Sequence, residues 1–233
     1  MIGIIPIGGH ATRMNGIPKF LLPVGDTYLL ARVYQQMVEA GADRIAIGVH
    51  PDNLALVKRY TPGEAIIYEA NTVTMSQTVL MAQKYASKQQ VLFGMPDTYW
   101  TTPDMYPQLI DRLGGAIGVA GLWHTPPVYQ NKRGMCRIHM TKDRDLFISE
   151  VVDKPKQITL EYGWGAIAWR AKFWQYINPY DKHVGFALQR AIAQGEYVRG
   201  HTREGQFFDC GTPDEYYECI QAVSNQRSNH VPA

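Results

Sequence analysis

"MIGIIPIGGHATRMNGIPKFLLPV", residues 1–24, joins a short isoleucine-rich run to a glycine-containing loop and then to a second apolar run. Met1–Ile5 is apolar and β-branched, as a buried strand requires. Pro6 has no N–H for a sheet ladder, so the strand is expected to end there. Gly8 and Gly9 let a backbone approach a ligand closely and aim N–H groups at an anion. Arg13 adds a fork of donors suited to phosphate oxygens, and Lys19 adds a point charge. An ordinary βα loop with a solvated Arg and Lys fits the same residues. Lys19 is the exception, because it stands between Pro18 and the apolar run Phe20–Val24, and a charge bordering a buried segment needs a partner.

Outward from this stretch, strands and helices alternate. Leu30, Val33, Tyr34, Met37 and Val38 follow the amphipathic helical spacing, with Gly41 suited to the C-cap. Arg44–Val49 reads as a strand, Leu54–Tyr60 as a short helix stopped by Pro62-Gly63, and Ala65–Tyr68 as a strand. Ser76 is expected to cap a helix running to about Ala86. Gln90–Gly94, Pro103–Leu113 and Ala116–Trp123 follow as strand, helix and strand. Met135–Met140, Phe147–Val152 and Gly163–Trp169 read as strands, Val184–Gln194 as a helix, and Thr212 as the cap of a helix across Asp214–Val223. Alternation of this kind implies βαβ units: an α/β, Rossmann-like three-layer αβα fold on a mixed, mostly parallel sheet. One domain over 1–223 and a polar tail over 224–233 are expected.

Composition narrows the function classes. The 233 residues are 45% hydrophobic, enough for one sizeable core. Lys plus Arg number 23 against 21 for Asp plus Glu, a net charge of +2 that argues against non-specific nucleic-acid binding. The three cysteines, Cys136, Cys210 and Cys219, form no CxxC pair, which argues against a disulfide framework or structural zinc. No stretch reaches the roughly 20 apolar residues of a membrane span. A cytoplasmic setting is the expectation; oligomeric state is left open.

The opening stretch resembles the pyrophosphorylase signature of the sugar-phosphate nucleotidyltransferases, G-G-x-G-T-R-M/L followed by P-K-x-L-L-P-V. It stands here as Gly8, Gly9, His10, Ala11, Thr12, Arg13, Met14, then Pro18, Lys19, Phe20, Leu21, Leu22, Pro23, Val24. Ala11 replaces a usual glycine. The short gap between Arg13 and Pro18 is similar to compact members such as cytidylyltransferases of small alcohol phosphates. Four later stretches resemble the family in its order: "VLFGMPDTYW" (91–100), with Met95 and Pro96 inserted before Asp97; "SEVVDKPKQ" (149–157), with Asp153 for the usual Glu; "YGWGAIAW" (162–169); and "FFDCGTPDEYYECIQAV" (207–223).

The resemblance implies a nucleotide-diphospho-sugar transferase fold of the GT-A-like type. It implies that a nucleoside triphosphate and a sugar 1-phosphate, or a similar small phosphorylated acceptor, give a nucleotide sugar and pyrophosphate with Mg²⁺. It also implies roles. Arg13 and Lys19 are catalytic; Gly8, Gly9, His10, Ala11, Thr12 and Gln77 bind nucleotide; Asp153, Lys154 and Gly165 bind the sugar phosphate; Asp97 and Asp209 hold metal. Read by the residues alone, Asp97 also suits a turn, Asp209 a partner of the Gly211-Thr212 turn, and Ser76 with Gln77 a helix cap. A nucleotide-sugar-dependent glycosyltransferase and a non-catalytic nucleotide- or sugar-binding relative are the alternatives. The first would normally show a D-x-D at a strand end, and none stands there.

Overall fold

The computed structural model describes residues 1–9, 17–157 and 159–228. His10, Ala11, Thr12 and Arg13 lie outside the described residues. Among those described, the strands are β1 (Ile2–Ile7), β2 (Pro23–Val24), β3 (Thr27–Tyr28), β4 (Arg44–Val49), β5 (Ile66–Glu69), β6 (Val91–Gly94), β7 (Thr98–Trp100), β8 (Gly118–His124), β9 (Gly134–Met140), β10 (Leu146–Asp153), β11 (Tyr162–Trp169), β12 (Val198–Thr202) and β13 (Phe207–Asp209). The helices are α1 (Leu29–Glu39), α2 (Leu54–Tyr60), α3 (Met75–Met81), α4 (Gln83–Ala86), α5 (Met105–Leu113), α6 (Pro127–Gln130), α7 (Gly185–Ala193) and α8 (Pro213–Ser228). The backbone of α8 runs through Ser228, into the segment expected to be a polar tail.

The main sheet has the order β5-β4-β1-β6-β11-β8-β12-β10-β9. β5, β4, β1 and β6 are mutually parallel, as βαβ alternation requires. β11 runs antiparallel to both β6 and β8, so the second half is mixed and the antiparallel share is larger than expected. β12, which carries no strong alternation in VRGHT, pairs parallel with β8 and was missed in the sequence.

All six residues of β1 are buried, and consecutive side chains enter opposite cores. Ile2 and Ile4 join the core that takes in Val79 of α3 and Leu188 of α7, while Ile5 and Ile7 join the core under Val33 of α1 and Leu109 of α5. Helices therefore cover both faces of the sheet. Pro6 does not end β1, contrary to expectation: it pairs with Gly48 of β4. The Ile2 N–H turns to the β6 side, donating to the Gln90 carbonyl, and by strand alternation Ile4 and Pro6 turn the same way. Pairing with β6 stops at Ile4, so the donor that Pro6 lacks has no ladder partner to miss.

A third, smaller core lies beyond the carboxyl end of the sheet. Leu22, Val24, Leu29, Tyr99, Phe208, Cys210, Cys219 and Val223 pack together there. They bind the β2–β3 hairpin and the two-stranded β7–β13 ribbon to α8.

Candidate active site

β1 is flanked by β4 on one side and β6 on the other, both parallel to it. Ligands in such sheets bind outside the carboxyl ends of the strands where the order reverses. A cleft of about 200 Å³ opens at that place, lined by Gly8 and Gly9 after β1, Asn53 beyond β4, Pro96 and Asp97 beyond β6, Pro18 and Lys19, and Thr72–Met75 with Thr78. Gly8 has a steric reason to be glycine. A Cβ there would lie 2.5 Å from Thr78 Oγ1 and 3.2 Å from Thr72 Oγ1. Those two hydroxyls share a hydrogen bond of 2.5 Å, so the first turn of α3 closes directly onto the loop.

Lys19 opens a short 3-10 turn, Lys19–Leu21, whose Phe20 is buried. The Leu21 and Leu22 N–H groups close this turn on the carbonyls of Pro18 and Lys19. The lysine is thereby held at the cleft, with Nζ 3.7 Å from Asp97 Oδ2. The partner that the sequence demanded for a charge bordering a buried run is a carboxylate 78 residues away.

The β7–β13 ribbon brings the two predicted metal aspartates together. Asp209 pairs with Thr98, and the Cys210 N–H donates to the Asp97 carbonyl at 2.9 Å. Asp209 Oδ1 accepts from the Gly211 N–H at 3.1 Å, so the turn role read in the sequence is also present. Lys19 Nζ belongs to the same cluster: a Cβ on Gly211 would be 2.7 Å from Asp209 Oδ1 and 3.4 Å from Lys19 Nζ. Burial and then the neighbouring Asp209 charge push the Asp97 carboxyl up to about 6 from 3.8, against the opposing pull of Lys19. Two neighbouring carboxylates with one lysine beside them make a donor set fitted to a divalent cation that keeps its other positions for water and phosphate. Among the described residues no third His, Cys, Asp or Glu completes a protein-only cage.

Several expectations shift. The cap of α3 is Thr74, not Ser76, which is fully buried inside the helix. Thr74 Oγ1 accepts from the Gln77 N–H, and Gln77 Oε1 accepts from the Val73 and Thr74 N–H groups, a reciprocal capping box. Gln77 therefore serves the cap, the other role read for it in the sequence, and is not among the residues that line the cleft. At the start of α3 the Met75 N–H donates to the Lys182 carbonyl at 3.2 Å. Gly165 does not line open space. It sits at a bulge in β11, and a Cβ there would collide with the ring of Phe207.

Asp153 and Lys154 lie at the end of β10, where Lys154 turns into the left-handed region at φ 47° and its N–H donates to the Arg133 carbonyl. They are not part of the cleft lining. A strap over residues 179–183 links the two places. Thr74 Oγ1 donates to the Pro179 carbonyl at 2.7 Å, and His183 Nε2 lies 3.0 Å from Asp153 Oδ1. Sequence reasoning missed His183, as well as the buried ion pair between Arg133 and Glu215 at 3.1 Å that fastens the start of β9 to α8. Both involve partners far apart in the chain. The one available signal for the second was a glutamate three residues after the capping Thr212.

The family described as MobA-like NTP transferase domain matches residues 3–146. The chain belongs to that family. No curated protein matches it. Among solved structures, one of UDP-glucose pyrophosphorylase complexed with UDP-glucose is similar at a TM-score of 0.82 and 15% identity, covering 97% of this chain and 99% of that one. A UTP-bound UGPase from Acinetobacter baumannii is similar at 0.77 and 16%, covering 99% of each chain. A Bacillus anthracis protein described as a glucose-1-phosphate thymidylyltransferase is similar at 0.78 and 16%, covering 96% of this chain and 95% of that one. At these identities the likeness is one of fold: the mixed α/β sheet of nucleotidyltransferases. No described helix is long and apolar enough to cross a membrane.

Proposed function

We propose that this member of the family is a Mg²⁺-dependent nucleotidyltransferase that joins a nucleoside triphosphate to a small phosphorylated acceptor of the sugar 1-phosphate kind. The observation that carries the reading is the cluster of Lys19, Asp97 and Asp209 at the rim of the Gly8–Gly9 cleft. A phosphoryl-transfer site needs little covalent help from the protein; positioning and charge neutralisation dominate.

An oxygen of the acceptor's phosphate attacks the α-phosphorus of the triphosphate. The new P–O bond forms as the bond to the β-phosphate bridging oxygen breaks, and that electron pair leaves with pyrophosphate. The attacking oxygen is already anionic, so no general base is required. Lys19 neutralises the α-phosphate and the approaching acceptor, and Arg13 grips the leaving pyrophosphate. Gly8 and Gly9 admit the phosphates to close backbone approach. Asp97 and Asp209 are the residues that would hold Mg²⁺, which when bound supplies charge neutralisation at the phosphates. Asp153 and Lys154 take the acceptor.

A screen of the common triphosphates against sugar and alcohol phosphates, with Mg²⁺ and pyrophosphate detection, tests the reading. At least one pair should turn over, and Lys19→Ala or Asp97→Ala should lower its rate by about 100-fold or more at unchanged circular dichroism. Near-native turnover in either variant refutes the assigned roles.

A further inference from the structure

His183 is held more tightly than a loop histidine needs to be. Its Nδ1 accepts the Gly185 N–H at 3.2 Å, at the first turn of α7. Its ring stacks on Phe186 with centroids 4.6 Å apart and lies 5.7 Å from Trp164. Acceptance at Nδ1 places the ring proton of the neutral form on Nε2. That nitrogen lies 3.0 Å from Asp153 Oδ1, and both side chains remain 18% exposed. A helix-capping histidine accounts for the first contact alone; it needs neither a carboxylate beside the second nitrogen nor the opening to solvent.

We propose that His183 is a positioning residue for acceptor recognition. Its Nε2–H occupies one oxygen of Asp153 and orients the carboxylate, leaving the other oxygen to accept a hydroxyl of a polyhydroxylated, phosphorylated acceptor. The inference rests on the reading of Asp153 as an acceptor-binding residue. The strap that carries His183 also gives its Pro179 and Lys182 carbonyls to Thr74 and Met75 at the nucleotide cleft. Those bonds are made by backbone oxygens, so changing the His183 side chain leaves them in place and separates the acceptor side from the nucleotide side.

Steady-state kinetics of His183→Leu and His183→Gln, with the triphosphate and acceptor varied in turn, test the proposal. Both variants lose the contact with the Gly185 N–H. Only glutamine keeps an N–H within reach of Asp153, so their difference isolates that bond. His183→Leu should raise the acceptor KM at least tenfold while the triphosphate KM stays within twofold, and His183→Gln should recover most of the loss. An unchanged acceptor KM in His183→Leu, an equal rise in both KM values, or no rescue by glutamine overturns the role of His183 while leaving the transferase reading intact. Absence of pyrophosphate release by the unmodified protein with every pair overturns the reading itself, and this inference with it.

Discussion

Asp97 in its ionised form should cost this fold stability, and Asp97→Asn should recover it. In the folded chain the carboxyl is raised from 3.8 to about 6, by burial first and by Asp209 second. The folded state therefore holds the proton more tightly than the unfolded chain does. The stability that this group contributes is fully present below about pH 3.8 and is lost as pH rises through about 6. About two units at 1.36 kcal/mol each set a ceiling of ~3 kcal/mol. The side chain is 28% exposed, and solvent screening lowers the expected effect to about 1–2 kcal/mol. At pH 8 without divalent metal, Asp97→Asn should thus melt several degrees above the unmodified protein, at about 2–4 °C per kcal/mol for a chain of this size. The gap should close on titration to pH 4. Added Mg²⁺ should raise the melting temperature of the unmodified protein but not that of the variant. Scanning calorimetry between pH 4 and pH 8 reads both. A variant less stable at pH 8, or a gap that does not change with pH, refutes the reasoning.

Other consequences follow from single contacts. Arg133 and Glu215 are both nearly buried, so Arg133→Ala strands a carboxylate and should cost about 3–5 kcal/mol in urea unfolding. An Arg133→Met/Glu215→Leu pair should recover most of that loss. Gly8→Ala should cost about 1–3 kcal/mol and raise the triphosphate KM, because its methyl group meets Thr78 Oγ1; kinetics beside thermal melting check both parts. Thr74→Ala removes the cap of α3 and should cost about 1 kcal/mol by the same melting assay.

What the sequence made legible follows from the range of the interactions involved. Arg44–Val49 and Leu54–Tyr60 have the expected limits because each is set by local patterning between turn signals. Pro6 was misjudged because the rule that proline breaks a ladder depends on whether a partner strand reaches that residue, which is a tertiary fact. Ser76 and Thr74 are both good caps by residue type, and the glutamine three residues after Thr74 decides for Thr74. The convergence of Asp97, Asp209 and Lys19 was anticipated from the order of the motifs, but the means was not. It depends on β7 and β13, three residues each, too short for periodicity to reveal. His183 stayed invisible because its meaning lies in Asp153, 30 residues earlier. The steric reason for a glycine at 165 stayed invisible because Phe207, which covers it, comes from another strand.

The central claim is transfer of the nucleoside monophosphate unit, and a triphosphate labelled with ³²P at the α-position tests it most directly. With Mg²⁺ and a phosphorylated acceptor, the label should pass into a product that also contains the acceptor, with one pyrophosphate released for each product formed. Label that remains in the triphosphate, or that appears as free nucleoside monophosphate without joining the acceptor, would contradict it.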